Sequence, residues 1–415
     1  MALPVNVLQT VQTYQDSALA YLVNSFAMVN LANKKFKDFE NLEANLGSTV
    51  AFDLPPRYMT QNTLVANFQD SQQRVQTLTV DQAVNTAYAF SNQQFVFNVR
   101  TYMEKFGKSA VLEVGSQVEA NVALNAEKNT FRFYGNGVTA INSFNQLAEA
   151  LAFFRNFGAA KDFTRGILPD INVPAIVASG LNQFVTNRNN DIAMSWELGD
   201  FSKCDWYQSN LLPVHTSGTC AENQDVLTLV STNDPTGANV TQLTFSGALV
   251  HNDANAIKAY DLFQFQDGVA GQPNLRYLTF IGHKVSANPV QFAVTTDAAS
   301  DNTGAVTVTL LQPLCWAQIQ NQNLNHQLAA GMQVIGVPSH RCGLIYSGNA
   351  LFLAMPKLPE EIPFPTANKM DNDSGVSMRM YYGSLFGQNQ RGFVHDIIWG
   401  STLVPEYSMR LCFPV

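Results

Sequence analysis

Histidine and cysteine side chains lie close together at two places in the sequence, where they could carry chemistry. Cys204, His215 and Cys220 are three zinc-binding residue types, but their spacing is that of neither a zinc finger nor a zinc ribbon. His340 and Cys342 could act as a base and a nucleophile, since residues two apart share one face of a strand, yet no third group orients the histidine. We therefore expect reduced, mostly buried thiols and an inert pair on a β hairpin.

Carboxylates and glycines form two further candidate motifs. Asp371, Asp373 and Gly375 imitate the start of a calcium loop, but the glycine comes one place early and Tyr382 stands where a bidentate glutamate is needed. Residues 135–137 read Gly-Asn-Gly after an aromatic segment, without the third glycine of a dinucleotide-binding turn. The sequence favours a structural or binding protein over an enzyme, and we expect no catalytic residue, metal or cofactor.

The composition narrows the class of protein. The chain has 415 residues, of which only 13% are charged against about 25% in typical soluble proteins, and roughly a sixth are Asn or Gln. The net charge is -8, and between residues 204 and 340 the only cations are Lys258, Arg276 and Lys284. That stretch cannot grip a phosphate backbone, which needs clustered Lys and Arg. The first basic residue is Lys34 and no apolar run approaches about 20 residues, so we expect a non-secreted, non-membrane protein.

Residues 5–32 have helical periodicity. Apolar side chains recur at steps of three or four, which places them on one face of a helix, and they include Leu22 and Phe26. The opposite face carries Gln9, Gln12, Gln15 and Asp16. Two interpretations stay open: the helix packs on its own domain, or it is an arm that docks on a neighbouring chain. In the second case, aspartates at Leu22 and Phe26 would block docking and leave the subunit folded.

The next segments predict a hairpin and a long helix. Residues 47–58 read as a short strand ended by two prolines, a polar stretch follows to about 73, and residues 75–99 return with alternation. Arg57 and Arg74 are the expected charged anchors on the two arms of this projecting hairpin. Residues 100–129 contain no proline and predict a single long helix, with Glu104 and Lys108 spaced for an i, i+4 pair.

Shorter elements follow the long helix. Ser143 and Gln146 form a capping box that predicts a helix over 143–157, and a further helical region is expected over 175–189. From about 214 to 313 the apolar period becomes two, with polar turn clusters between short runs. This pattern predicts a small β-barrel or sandwich, and because mixed α/β pattern lies on both sides of it, we interpret it as an inserted domain.

The order of these elements resembles the Hong Kong 97-type fold of tailed-phage major capsid proteins. The β-rich segment at 214–315 resembles the extra barrel in coat proteins of short-tailed phages of the Salmonella podovirus type. Residues 342–359 are similar to an apolar strand-turn-strand of those coat proteins. Residues 376–382, 395–400 and 404–410 look like their closing pattern.

The resemblance implies an α+β fold with a long spine helix, a projecting hairpin, a β-rich core and an inserted all-β barrel. It implies the following domains: an N-terminal arm and helix (1–46), the projecting hairpin (47–99), the spine helix and start of the core domains (100–213), the inserted barrel (214–315) and the return to the core (316–415). In a shell built from this chain, we expect inter-subunit contacts at Arg57, Arg74, Leu22, Phe26 and Glu104.

The resemblance also implies function and partners. It implies a major capsid protein that self-assembles, as hexamers and pentamers, into an icosahedral shell around double-stranded DNA. The expected partners are further copies of the chain, a scaffolding protein, a portal protein and DNA held by weak non-specific contact, without a membrane. The protein would assemble in the host bacterial cytoplasm and reside in the virion capsid. A bacterial nanocompartment shell protein and a carbohydrate-binding surface protein remain the alternatives.

Overall fold

A computed structural model describes the following residues: 15, 18–23, 26–34, 49–58, 64, 68, 73–91, 107–158, 163–180, 199–279, 282–359, 366–371, 375–385 and 390–415. The chain divides into two compact units. The first unit is Met1–Phe52, Thr77–Asn125 and Leu351–Thr402. The second unit is Asp53–Gln76, Ala126–Ala350 and Leu403–Val415.

Among the described residues, helices are few and, with two exceptions, short. In chain order they are α1 (Met28–Leu31), α2 (Lys108–Lys128), α3 (Phe144–Asn156), α4 (Val173–Gly180) and α5 (Thr219–Glu222). Residues 18–23 are also helical. Single 3₁₀ turns cover Asp170–Asn172 and Pro405–Tyr407. The 21 residues of α2 give a helix about 31 Å long, and the segment 101–106, where the predicted helix would begin, lies outside the described residues.

Strands are the commonest regular element of the described chain. In chain order they are β1 (Thr49–Leu54), β2 (Arg74–Thr79), β3 (Gln82–Ser91), β4 (Phe133–Tyr134), β5 (Thr164–Pro169), β6 (Gly199–Phe201), β7 (Cys204–Ser209), β8 (Val214–His215), β9 (Leu227–Thr232), β10 (Val240–Ser246), β11 (Leu262–Phe265), β12 (Arg276–Leu278), β13 (Val285–Pro289), β14 (Gln291–Ala293), β15 (Val306–Leu314), β16 (Gln333–Gly336), β17 (His340–Ser347), β18 (Leu351–Ala354), β19 (Thr366–Asp371), β20 (Val376–Leu385), β21 (Gln390–Leu403) and β22 (Ser408–Pro414). The protein is therefore mixed α+β and rich in strands.

The first unit contains a five-stranded sheet in which β18, β21, β20 and β19 are neighbours in that order and β3 pairs with β21. Along β20, Val376, Met378 and Met380 are buried, and Ser377 and Arg379 between them are buried as well. The Ser377 hydroxyl donates to two backbone carbonyls, and the Arg379 guanidinium bonds both carboxylate oxygens of Asp396. Polar side chains can be buried on the second face of this strand because each of them has hydrogen-bond partners.

The second unit contains a sheet in the order β4, β22, β17, β5, β7 and β6, with β8 on one end of β17. Helices α3 and α4 supply apolar side chains, such as Leu151 and Ile176, to the core on this sheet. The capping box that predicts α3 is confirmed, because Ser143 Oγ accepts the backbone N–H of Gln146 at 3.3 Å. Helix α4 begins near the predicted place, and residues 181–198 lie outside the described residues.

A second sheet of this unit lies wholly within 227–336, where the sequence predicts short strands. Its order is β14, β11, β16, β9, β10 and β15. The two outer strands also meet, at an isolated bridge between Val294 and Leu310. Stacked phenylalanines fill its core, with the rings of Phe263 and Phe292 5.6 Å apart. Strand β16 lies beyond the expected boundary at 315, yet it stands between β9 and β11.

The predicted hairpin is shorter than its sequence pattern. Strands β1 and β2 form a two-stranded sheet, which we call the ribbon. Strand β3, which the pattern assigns to the returning arm, pairs instead with β21 along its whole length, from Gln82 to Ser91. Residues 92–99 lie outside the described residues. Val80 and Asp81 lie between β2 and β3, and these two strands belong to different sheets. The returning arm of the predicted hairpin is therefore divided at these residues.

Candidate subunit-contact site

Two arginines at the loop end of the ribbon, where β1 ends and β2 begins, converge on one carboxylate. Arg57 follows β1, Arg74 opens β2, and Glu406 lies on the 3₁₀ turn between β21 and β22. The Arg57 Nη2 lies 2.6 Å from Glu406 Oε1, and Arg74 Nη2 bonds the same oxygen. The Gln312 amide donates to it as well, at 3.3 Å. The sequence predicts both arginines as inter-subunit contacts, and that stays a prediction; in the structure each binds its own chain through Glu406.

This charge cluster is mostly hidden from solvent. The side chains of Arg57 and Glu406 are 8% and 6% exposed. Burial lowers the pKa of Arg57, although Glu406 opposes that effect, and burial likewise raises the pKa of the neighbouring Tyr407. A buried carboxylate that receives two guanidinium groups fixes the loop end of the ribbon to the 3₁₀ turn that precedes β22. Sequence reasoning does not find this pairing, because Glu406 is more than 330 residues from either arginine.

Two described residues of the segment that joins β1 to β2 present apolar side chains to solvent. Leu64 is 108% exposed and Phe68 is 96% exposed, and both are found between the two anchoring arginines in the sequence. Tyr58 and Val75, next to the anchors, are also exposed. Apolar side chains that remain in solvent beside a two-stranded ribbon mark a surface suited to protein contact.

Leu22 and Phe26 lie inside their own unit. They are 0% and 5% exposed, so the structure favours the interpretation in which the N-terminal helix packs on its own domain. Gln15 is expected on the polar face, and that expectation is wrong: its side chain is fully buried and its amide donates to the carbonyl of Met378 at 2.8 Å. Whether this segment also touches a neighbouring chain stays a prediction.

A buried glutamate holds the chain just after this helix. Glu119, on α2, accepts the backbone N–H groups of Met28 at 2.5 Å and Val29 at 3.1 Å. Burial raises the pKa of Glu119, and these backbone hydrogen bonds act in the opposite direction. The remaining predicted contact residue, Glu104, lies outside the described residues. Its expected partner Lys108 donates to the hydroxyl of Tyr21 at 2.8 Å.

The histidines and cysteines considered for catalysis have other partners. The ring nitrogens of His215 face two carboxylates, and His340 Nδ1 lies 2.8 Å from the carbonyl of Pro338. All five cysteines are free and buried. Burial raises the pKa of Cys220 to about 12, so its thiol stays protonated near neutral pH. A protonated, buried thiol is neither a nucleophile nor a metal ligand.

Within the described residues, no group of three or more His, Cys, Asp or Glu side chains is placed to hold a metal ion. The helices that the structure describes include none long and apolar enough to cross a bilayer.

Comparisons with known proteins give structural matches alone. No protein-family model and no curated protein sequence matches the chain. A structure from Mycobacterium phage Che8 is 10% identical with a TM-score of 0.46, and the match covers 93% of this chain and 90% of that one. The capsid of the cyanophage P-SCSP1u is 11% identical with a TM-score of 0.41, covering 88% and 84%. A virus-like particle from Pyrococcus furiosus is 6% identical with a TM-score of 0.40, covering 98% and 100%.

Proposed function

We propose that the chain is the major capsid protein of a tailed bacteriophage, with a Hong Kong 97-type fold and an inserted β-barrel. Many copies assemble, as hexamers and pentamers, into an icosahedral shell around double-stranded DNA. The observation that carries the proposal is the ribbon, whose loop end is fixed by Arg57, Arg74 and Glu406 while Leu64 and Phe68 of the connecting segment stay in solvent. A ribbon that is fixed at its loop end and exposes apolar side chains beyond that point is suited to contact a neighbouring copy.

The path of the chain supports the inserted barrel. Strand β8 pairs with the start of β17, with His215 opposite His340, so the segment 216–339 leaves and returns at one place. Within it, the sheet that runs from β14 to β15 closes through the bridge between Val294 and Leu310. We propose that this segment is one inserted domain, and that 1–46 and the remaining segments form the arm, hairpin, spine and core of the capsid fold.

The charge of the chain fits the proposed contents of the shell. With a net charge of -8, the subunit lacks the cation excess that would give tight binding to DNA through counterion release. Packaged DNA would therefore be held by weak, non-specific contact. We propose that a scaffolding protein guides assembly and that a portal protein occupies one vertex. Assembly would take place in the host cytoplasm, and the mature protein would reside in the virion without enzymatic activity.

Sedimentation velocity and negative-stain microscopy of the full chain test the proposal. We expect closed shells from the wild type, and unassembled, folded subunits from the double variant Leu64→Asp, Phe68→Asp, since both side chains are exposed and their loss leaves the subunit core intact. The matched control Leu64→Met, Phe68→Leu keeps the surface apolar and should assemble. Normal shells from the aspartate variant would show that assembly does not depend on the exposed side chains of Leu64 and Phe68.

The contents of the particles separate the proposed function from its alternatives. Shells recovered from phage-producing cells should contain nuclease-protected double-stranded DNA. Shells filled with a protein cargo would instead indicate a nanocompartment. A protein that forms no shell under any assembly condition, and binds polysaccharide, would contradict the proposal outright.

A further inference from the structure

A buried histidine of the second unit stands between two carboxylates. His215 Nδ1 lies 2.9 Å from Glu127 Oε1, and its Nε2 lies 2.9 Å from Asp261 Oδ1. The side chains of His215, Glu127 and Asp261 are 8%, 4% and 0% exposed. A carboxylate can only accept hydrogen bonds, so both ring nitrogens can be satisfied at once only when both carry protons. The geometry is that of an imidazolium.

Other charged and titratable groups around His215 fit this assignment. Arg410 Nη1 lies 3.4 Å from Glu127 Oε1 and 3.4 Å from His340 Nε2. His340 donates through Nδ1 to a backbone carbonyl and is neutral, because burial and the charge of Arg410 lower its pKa to about 3. The Cys342 thiol is neutral as well, since burial raises its pKa. Two carboxylates and two cations therefore balance in a closed site when His215 is charged.

His215 lies where the segment 216–339 meets the end of helix α2. His215 is the last residue of β8, where the chain enters the segment 216–339, and Glu127 is on the last turn of α2. Asp261 lies inside that segment, and its Oδ2 accepts the backbone N–H groups of Gly218 at 3.0 Å and Lys258 at 2.8 Å. The imidazolium thus joins the end of the long helix to a carboxylate that itself holds two turns of the segment.

We propose that His215 is a pH-sensitive latch that fastens the segment 216–339 to the end of helix α2. When the imidazolium loses a proton, one of its two nitrogens becomes an acceptor that faces a carboxylate, so one hydrogen bond is lost. The site then holds an uncompensated negative charge in a buried place. The segment 216–339 keeps its own sheet in both states, and the change is confined to its attachment.

The direction of the pH effect follows from the surroundings of His215. Burial lowers its pKa, but the hydrogen bonds to Asp261 and Glu127 outweigh burial, and the net pKa is raised above the ordinary 6.5. A raised pKa in the folded state means that the fastening is complete below the unfolded-state value and is lost as the pH rises through the folded-state value. The latch is therefore closed in mildly acidic solution and opens in alkaline solution.

A histidine titration of the full-length protein by NMR tests the first step and needs no variant to fold. We expect the His215 ring to titrate above 6.5, with its resonance identified by its loss in His215→Gln. His326→Gln, at an exposed histidine, is the matched control and should leave that resonance in place. A midpoint at or below the ordinary value would overturn the proposal.

Hydrogen exchange by mass spectrometry tests the second step. Between about pH 6 and one pH unit above the midpoint found in that titration, and after correction for intrinsic rates, wild-type peptides covering 214–218 and 255–261 should lose protection roughly tenfold or more, the size expected for one lost hydrogen bond to a charged group. In His215→Gln, and in the shape-conserving Asp261→Asn if the first variant does not fold, this loss should shrink or vanish. Equal protection in the wild type at both pH values would show that His215 is not a latch.

Discussion

Cys342 and Cys412 lie directly opposite each other on the antiparallel strands β17 and β22. The N–H of Cys342 donates to the carbonyl of Pro213 at 3.0 Å, on the other side of β17, and the N–H of Arg410 likewise donates away from β17, to Arg132. The cysteines are therefore a non-hydrogen-bonded cross-strand pair, the kind in which side chains approach more closely. They are free thiols in the centre of the sheet.

This placement predicts that both thiols are inert in the folded protein. Burial raises the pKa of Cys412 to about 12 and raises that of Cys342 as well, so the reactive thiolate is scarce at neutral pH. We expect no alkylation of either residue by iodoacetamide under native conditions, and complete alkylation in denaturant, by peptide mapping. Modification of either at the rate of an exposed thiol would mean that β17 and β22 separate in solution.

Removal of the Glu406 carboxylate, which holds the loop end of the ribbon, should destabilise the fold. Glu406→Ala leaves Arg57 and Arg74 close together without their shared partner, in a site that is largely buried. The expected loss in the free energy of unfolding is about 3 to 5 kcal/mol, the range for breaking a buried ion pair on one side. Urea or thermal unfolding monitored by circular dichroism measures it.

The chain offers a matched control for this effect in an exposed ion pair. Arg276 Nη1 lies 2.5 Å from Asp267 Oδ1, but the Asp267 side chain is 44% exposed. Asp267→Ala should cost no more than about 1 kcal/mol, because solvent screens such pairs. Equal losses in the free energy of unfolding for the two variants would show that the loop end of the ribbon is hydrated and that Glu406 does not hold it.

Aspartate substitutions of Leu22 and Phe26 should destabilise the folded subunit itself, whether or not they also affect assembly. Both side chains are buried in the first unit, so Leu22→Asp and Phe26→Asp place unpaired charges in its core. Such burial costs several kcal/mol by order of magnitude, and we expect a lowered midpoint of thermal unfolding for the isolated subunit. Ala20→Asp, at an exposed position of the same helical stretch, is the control and should unfold like the wild type. An unchanged midpoint for the double variant, with assembly lost, would restore the interpretation of a docking arm.

Elements set by neighbouring residues could be predicted from the sequence, and contacts between residues far apart in the sequence could not. Local signals hold in part: the capping box predicted at Ser143 is found at the start of α3, and strands β9 to β15 lie where the period-two pattern predicts short strands, although β9 buries Leu227 and Leu229 and exposes Val230. Partners distant in the sequence leave no such signal, so neither the pairing of Arg57 with Glu406 nor the placement of His215 between Glu127 and Asp261 can be read from spacing. The burial of Gln15 is missed for the same reason, since its partner is a backbone carbonyl 363 residues away.

Strand β16 decides which fragment of the β-rich segment can fold alone. A fragment of 214–315 contains β9 to β15 but lacks β16, in which Val334 pairs with Leu227 of β9 and Gly336 pairs with Phe263 of β11. Without it, the sheet is split in the middle, and buried side chains such as Leu227 and Phe265 lose their neighbours. The order of strands therefore places the end of an autonomous fragment beyond Gly336.

We expect the fragment 216–339 to fold alone and the fragment 214–315 not to fold. The longer fragment contains every strand of the sheet from β14 to β15 and the bridge between Val294 and Leu310 that joins its outer strands. It also omits His215, so its folding is independent of the latch. Amide spectra of the two purified fragments are the measurement: dispersed resonances are expected for 216–339 and collapsed ones for 214–315. A dispersed spectrum from the shorter fragment would show that β16 is dispensable, and a collapsed one from the longer would show that this sheet depends on the rest of the second unit.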